Sequence, residues 1–142
     1  MKSFSRFLNE ERSVSKKLSS VLTKLEDIRR ASQSAHWNVR GKNFLELHDL
    51  FGEIYDYSNE QIDVIAERIM AIDDKALISI EGSKIPSPSS DEGRNIDMVL
   101  ELLSTKELTK LLNSLDETSS GMVQEIISEL DKFAWKLKST KS

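Results

Sequence analysis

Apolar residues recur along this chain at three- and four-residue steps, the period of a helix that buries one face. In a first segment, roughly Leu8 to Ala35, Leu18, Val21, Leu22, Leu25 and Ile28 fall on one side, while Lys16, Lys17, Lys24 and Glu26 lie elsewhere around the helix. The run Asn-Val-Arg-Gly, Asn38 to Gly41, breaks the pattern. A second segment opens at Asn43, a candidate N-cap with Glu46 three residues on. Its stripe of Phe44, Leu47, Leu50, Phe51, Ile54, Ile62, Ile65, Ala66 and Ile69 predicts a helix of about 28 residues. The stretch from Glu81 to Asn95 holds both prolines and reads as a loop. Just before it, Ala76 to Ile80 fits either a short helix or part of the crossover. A third helix is expected from Ile96 to about Leu115 and a fourth from Ser119 to Leu137. Met122, Ile126, Ile127, Leu130, Phe133, Ala134 and Leu137 line one face of the last, and Phe133 and Trp135 read as core. Nothing has the two-residue alternation of a convincing strand. The expectation is an all-α four-helix bundle with one long connection, a single domain over residues 1–142 with short flexible ends at about 1–7 and 138–142.

Composition narrows the function classes. The chain is 38% apolar and 31% charged, which allows a packed core and argues against wholesale disorder. A net charge of −4 and a pI near 5.3 exclude a surface that grips nucleic acid everywhere, leaving only a local patch or a tail for such contact. The absence of cysteine excludes disulfides, zinc–thiolate sites and thiol catalysis, and fits a reducing compartment. The N-terminus lacks the apolar stretch of a signal peptide, and no run approaches the ~20 apolar residues of a membrane span. A cytoplasmic protein with no membrane partner is expected. No motif calls for a small organic cofactor.

The candidate chemistry sits around the two histidines, His36 and His48, which flank the predicted break. Asp63 and Glu67, four residues apart on the second helix, share a face of it. An Asp–x–x–x–Glu pair is ordinarily a solvated face, and a helical histidine is ordinarily a satisfied polar residue. Together the four make an oxygen and nitrogen donor set suited to iron, manganese or zinc. They cannot meet within one straight helix. Fifteen residues separate His48 from Asp63, roughly 22 Å at 1.5 Å per residue, whereas metal–ligand bonds are about 2 Å. A two-fold dimer removes the conflict. If two second helices cross antiparallel near Asp56, His48 of one faces the Asp63–Glu67 turn of the other, and an isologous interface makes the site twice. His36 joins His48 because the break turns the chain back.

At these residues the sequence resembles the Dps family, the mini-ferritins that protect DNA in starved cells. The matching text is His36-Trp37-Asn38-Val39-Arg40-Gly41, Phe44, Leu47-His48, Phe51, Tyr55, and Asp63, Ala66-Glu67-Arg68, dense from about Ala35 to Met70. It returns near the C-terminus in DETSSGMVQEIISELDKFAWKL, including Lys132 and Trp135. The resemblance implies a ferritin-like four-helix bundle that assembles into a hollow dodecameric shell. It implies oxidation of Fe(II), preferably by hydrogen peroxide, and storage of ferric mineral. It implies iron ligands His36 and His48 from one subunit with Asp63 and Glu67 from the two-fold partner, zinc or manganese being possible substitutes. Trp37 matches an aromatic residue beside the family's site, with electron transfer, radical trapping or simple packing as its role.

The chain also departs from that pattern. Many relatives carry an acidic residue four positions after the second histidine, where this chain has Gly52. A glycine there costs a helix about 1 kcal/mol relative to alanine, and its lack of a carboxylate bears on a second iron. Near the C-terminus many relatives have an Asp, associated with the iron-entry pore, where this chain has Gly121. Asp116, Glu117 or Glu125 would have to supply that negative field. The third helix also looks short for the family. DNA binding, found in some relatives through Lys/Arg-rich tails, would here rest on Lys136, Lys138 and Lys141 at one end and Lys2 and Arg6 at the other. Two readings follow: a ferroxidase and iron store, or a DNA-compacting, nucleoid-associated shell whose metal chemistry is secondary.

Overall fold

The computed structural model describes residues 3–80 and 85–141; Lys2 and residues 81–84 of the expected loop lie outside the described residues. Its helices are α1 (Phe4–Asn38), α2 (Phe44–Ile72), α3 (Glu92–Leu102), α4 (Lys106–Leu111) and α5 (Glu117–Ser139), with a 3-10 turn at Leu112–Ser114. No strand occurs among the described residues. This is the expected all-α bundle: α1 and α2 form a long antiparallel hairpin, and the crossover of residues 73–91 leads to α3, α4 and α5. No helix among the described residues is long and apolar enough to cross a membrane.

The core follows the stripes read from the sequence. Leu18, Val21, Leu25, Ile28, Leu47, Phe51, Ile54, Ile65, Ile69, Val123, Ile126, Leu130 and Leu137 are all buried. The Tyr57 and Phe133 rings pack in a T-shaped arrangement, their centroids 5.7 Å apart. Burial, helped by Glu129, Glu125 and Glu60, raises the Tyr57 phenol to about 12. Trp135 corrects the sequence reading: it is 66% exposed while Phe133 is 4% exposed. At about 100° per residue Trp135 points some 200° from both Phe133 and Leu137, so the face that buries those two turns Trp135 outward.

Several boundaries differ from expectation, each for a local reason. α1 begins at Phe4, inside the segment expected as a loose end, because the Ser3 hydroxyl accepts from the Arg6 amide and caps it. It continues to Asn38, placing His36 and Trp37 in its last turns. Asn43 precedes α2 but does not cap it with its side chain. Instead its backbone N–H and Nδ2 both donate to the Glu92 carboxylate, at 2.8 and 3.0 Å. Ala76–Ile80 is not helical. α3 starts four residues before the expected Ile96, since Asp91 accepts from the Arg94 amide at 2.9 Å.

The single third helix is in fact two pieces. Lys24 of α1 reaches across to donate to the Leu102 carbonyl at 2.8 Å, satisfying the end of α3. Thr105 turns its hydroxyl to Asp131 of α5 at 2.9 Å. α5 is capped by Asp116, which accepts from the Ser119 amide at 3.1 Å. The Arg68 guanidinium ties this cap to α2, donating to Asp116 at 2.8 Å and to the Ser119 hydroxyl at 3.0 Å. Partial burial of Asp116 works to raise its carboxyl pKa, but the hydrogen bonds from Ser119 and Arg68 outweigh it and hold the carboxyl below its usual range. The Asp116 carboxylate is thus paired with Arg68 while its side chain stays 40% exposed.

Candidate metal centre

The turn between α1 and α2 decides where the histidines lie. Val39 is buried and extended, its amide closing the end of α1 on the Ala35 carbonyl at 3.0 Å. Gly41 has φ +139°, a region that favours glycine, and a Cβ there would collide with the Glu92 carboxylate. The crossover locks the turn from outside: the Arg40 amide donates to the Ser90 carbonyl at 3.0 Å, and Glu92 holds Asn43 as described. α2 then runs back along α1, bringing His48 level with His36.

The two rings stack, centroids 3.8 Å apart and planes 15° from parallel. Nδ1 of His36 lies 2.6 Å from the His48 carbonyl, and Nδ1 of His48 lies 2.8 Å from the His36 carbonyl. A carbonyl can only accept, so each Nδ1 carries a proton and donates. The neutral tautomer this selects leaves a lone pair on Nε2 of each ring. Neither Nε2 has a hydrogen-bond partner among the described residues. Fixing one ring nitrogen by a backbone carbonyl is the arrangement that orients a metal-ligating histidine and sets its tautomer. Phe44 also stacks on His48, their centroids 5.1 Å apart.

The structure brings His36 and His48 together and leaves Asp63 and Glu67 apart from them. Both carboxylates are exposed on α2, which is continuous from Phe44 to Ile72. No three His, Asp or Glu side chains among the described residues converge in a way that could hold a metal ion. Within one chain, then, the four candidate ligands fall into two separate pairs, His36 with His48 and Asp63 with Glu67. Trp37, next to His36, is 68% exposed and is not packed inside the chain.

Two contacts were not legible in the sequence. Gly52 lies against His36: a Cβ there would come within 3.1 Å of both Cε1 and Nδ1 of the ring. Glu92, far away in sequence, braces the hairpin turn. Its only sequence signal was its position after Asp91, which the neighbouring Gly93 disguised as loop.

Among the candidate DNA contacts, Arg6 pairs with Glu10 at 3.8 Å and Lys136 with Glu53 at 3.9 Å, while Lys141 pairs with Asp97. α5 extends to Ser139, so Lys136 and Lys138 are helical rather than part of a loose tail. Lys138 has no ion-pair partner among the described residues.

Comparison with known proteins fits this fold. Residues 15–141 match the family model described as the ferritin-like domain, and the helix order, the crossover and the inward-facing stripes are those of a ferritin-like bundle. The sequence is 36% identical over 117 residues to DNA protection during starvation protein 2 of Bacillus anthracis, covering 72% of this chain and 79% of that protein. It is 29% identical over 115 residues to the DNA protection during starvation protein of Brevibacillus brevis, covering 72% and 76%. The chain belongs to the Dps family. Its fold is also similar to solved Dps structures from Vibrio cholerae O1 (TM-score 0.85, 24% identity, 94% of this chain and 92% of that one) and from Bacillus brevis (TM-score 0.84, 23% identity, 100% of each).

Proposed function

We propose that this protein oxidises Fe(II), with hydrogen peroxide as preferred oxidant, at paired centres in a two-fold dimer interface, and stores the ferric product inside a dodecameric shell. The observation that carries the reading is the histidine clasp, which commits both Nδ1 protons to backbone carbonyls and leaves two Nε2 lone pairs side by side. His36 and His48 supply the nitrogen donors. Asp63 and Glu67 of the partner subunit supply the oxygen donors. Two imidazoles and two carboxylates suit Fe(II), and equally Mn(II) or Zn(II), so zinc would occupy the centre and inhibit it.

The arrangement of α2 supports this pairing. A two-fold axis at the level of Tyr57 and Ser58 would set His48 opposite Glu67 of the partner subunit and Gly52 opposite Asp63 of the partner subunit. The same register would set Leu45 opposite Met70 of the partner subunit. Leu45 is 70% and Met70 42% exposed in the single chain, and this interface would cover both.

Iron is the substrate. Carboxylate donors favour Fe(III) over Fe(II), while neutral imidazoles collect Fe(II) without adding charge. Two Fe(II) each give up one electron to a single hydrogen peroxide. The O–O bond breaks, two protons are taken up and two waters leave. A one-electron reduction would instead release hydroxyl radical, so pairing the electrons is what protects DNA. Protection by this route needs no contact with DNA.

The test is an anaerobic Fe(II) titration followed by a peroxide pulse, with ferric absorbance as readout, on wild type and on His48→Ala with Asp63→Ala. Fast oxidation in the wild type, lost in the double variant, with about two irons per centre, is expected. Equal, slow oxidation in both would overturn the reading in favour of a structural shell.

A further inference from the structure

Resting on the reading of His48 as a ligand, we infer that Phe44 is a positioning residue of the metal centre: its ring, stacked on His48, holds the plane in which the imidazoles present Nε2. Phe44 opens α2 and stands four residues before His48, so the two side chains share a face of the helix. Their ring centroids lie 5.1 Å apart with planes 25° from parallel, and His48 stacks in turn on His36 at 3.8 Å and 15°. Phe44 is 39% exposed and is not one of the buried residues of the core, so burial does not account for an aromatic ring there. The hairpin turn fixes where that ring starts, since the Phe44 amide donates to the Gly41 carbonyl at 3.2 Å.

A single hydrogen bond does not orient a ligating imidazole. Nδ1 of His48 lies 2.8 Å from the His36 carbonyl, yet coupled rotations about χ1 and χ2 still tilt the ring and swing Nε2. Stacking against a fixed ring removes that freedom. The two imidazoles cannot supply the fixed ring for each other, because each is held by the residue that carries the other and a stacked pair can tilt together. Phe44 is no ligand and is anchored by its own place on α2, so it stays put when Nε2 is engaged. A metal ion on Nε2 also draws electron density from the imidazole, and the negative face of the Phe44 ring favours such an electron-poor partner. The contact therefore strengthens on metal binding, and an aliphatic side chain of similar bulk does not reproduce it.

The experiment compares Phe44→Ala, Phe44→Leu and Phe44→Tyr with wild type in the full chain, with two readouts. Crystal structures of the metal-free proteins read the planes of the two imidazoles, and calorimetric titration with Zn(II) reads affinity. The inference expects Phe44→Tyr to keep the wild-type stack, and the His48 ring of Phe44→Ala and Phe44→Leu to tilt or take more than one orientation. It also expects Zn(II) affinity to fall by about tenfold or more in Phe44→Ala and Phe44→Leu, the scale for losing a group that orients a ligand, and to stay within about twofold of wild type in Phe44→Tyr. A Phe44→Leu protein with the wild-type stack and Zn(II) affinity within about twofold of wild type would overturn it. So would a Phe44→Tyr protein as impaired as Phe44→Ala. If wild type itself binds no Zn(II), the proposed metal centre fails, and the imidazole planes still decide whether Phe44 positions His48.

Discussion

His36 and His48 each donate from Nδ1 to the other's backbone carbonyl, at 2.6 and 2.8 Å, so each ring depends on the other for its place. Truncating one therefore disturbs both. His48→Ala removes a donor from the His36 carbonyl and the stacking partner from the His36 ring. Unfolding free energy is expected to fall by about 1–3 kcal/mol, measured by urea denaturation. Zn(II) binding should disappear in the same variant.

Sharing of the centre between subunits has a quantitative signature. A subunit with His36→Ala and His48→Ala keeps its carboxylates, and one with Asp63→Ala and Glu67→Ala keeps its histidines. Each alone should be inactive in the peroxide-pulse assay. Refolded together in equal amounts, half the dimers are mixed and each mixed dimer rebuilds one intact centre. Activity should recover to about a quarter of wild type. No recovery would mean that the centre is not divided in this way.

The turn that aligns the histidines is braced from the other half of the bundle. Glu92 accepts two hydrogen bonds from Asn43, and the same carboxylate fills the space beside Gly41. Gly41→Ala should destabilise the protein by more than about 1 kcal/mol, since the new Cβ meets both an unfavourable φ and Glu92. Glu92→Gln keeps the shape but loses the charge, and should destabilise less than Glu92→Ala. Chemical denaturation ranks the three.

A pH prediction rests on Glu26 of α1. Arg29 donates to both its carboxylate oxygens, at 2.8 and 2.7 Å, and these hydrogen bonds hold the Glu26 carboxyl below its ordinary pKa despite partial burial. A depressed folded-state pKa means stability present above the unfolded value, about 4.3, and lost as pH falls through the folded value. Wild type should exceed Glu26→Gln by a constant margin above about pH 5, a margin that shrinks below the unfolded value and is gone only once pH is below the depressed folded-state pKa. A margin that persists into strong acid would count against the pair.

Contact with DNA is expected to be weak. Lys136 and Lys141 are engaged by Glu53 and Asp97, Arg6 by Glu10, and the chain carries a net charge of −4. Any retention of duplex DNA in a mobility shift at low salt should vanish by about 0.15 M salt, where counterion release no longer favours so few phosphate contacts. Retention at that salt, abolished by removing residues 138–142, would restore the DNA-compacting reading.

The sequence by itself determined the class of the molecule. Helical periodicity fixes which faces are buried, and that information is local, so the stripes on α1, α2 and α5 and the break before Gly41 could be read directly. The spacing of His48 and Asp63 along one rigid helix also sufficed to separate them, because helix rise is independent of context. Other features depended on partners distant in sequence. Lys24 meets the end of α3, Asn43 serves Glu92 instead of capping α2, and the His36 ring fills the space beside Gly52. Each is a contact between residues whose proximity only the packed bundle creates. The same packing chose the histidine tautomer, since the carbonyl that holds each Nδ1 belongs to the opposite helix.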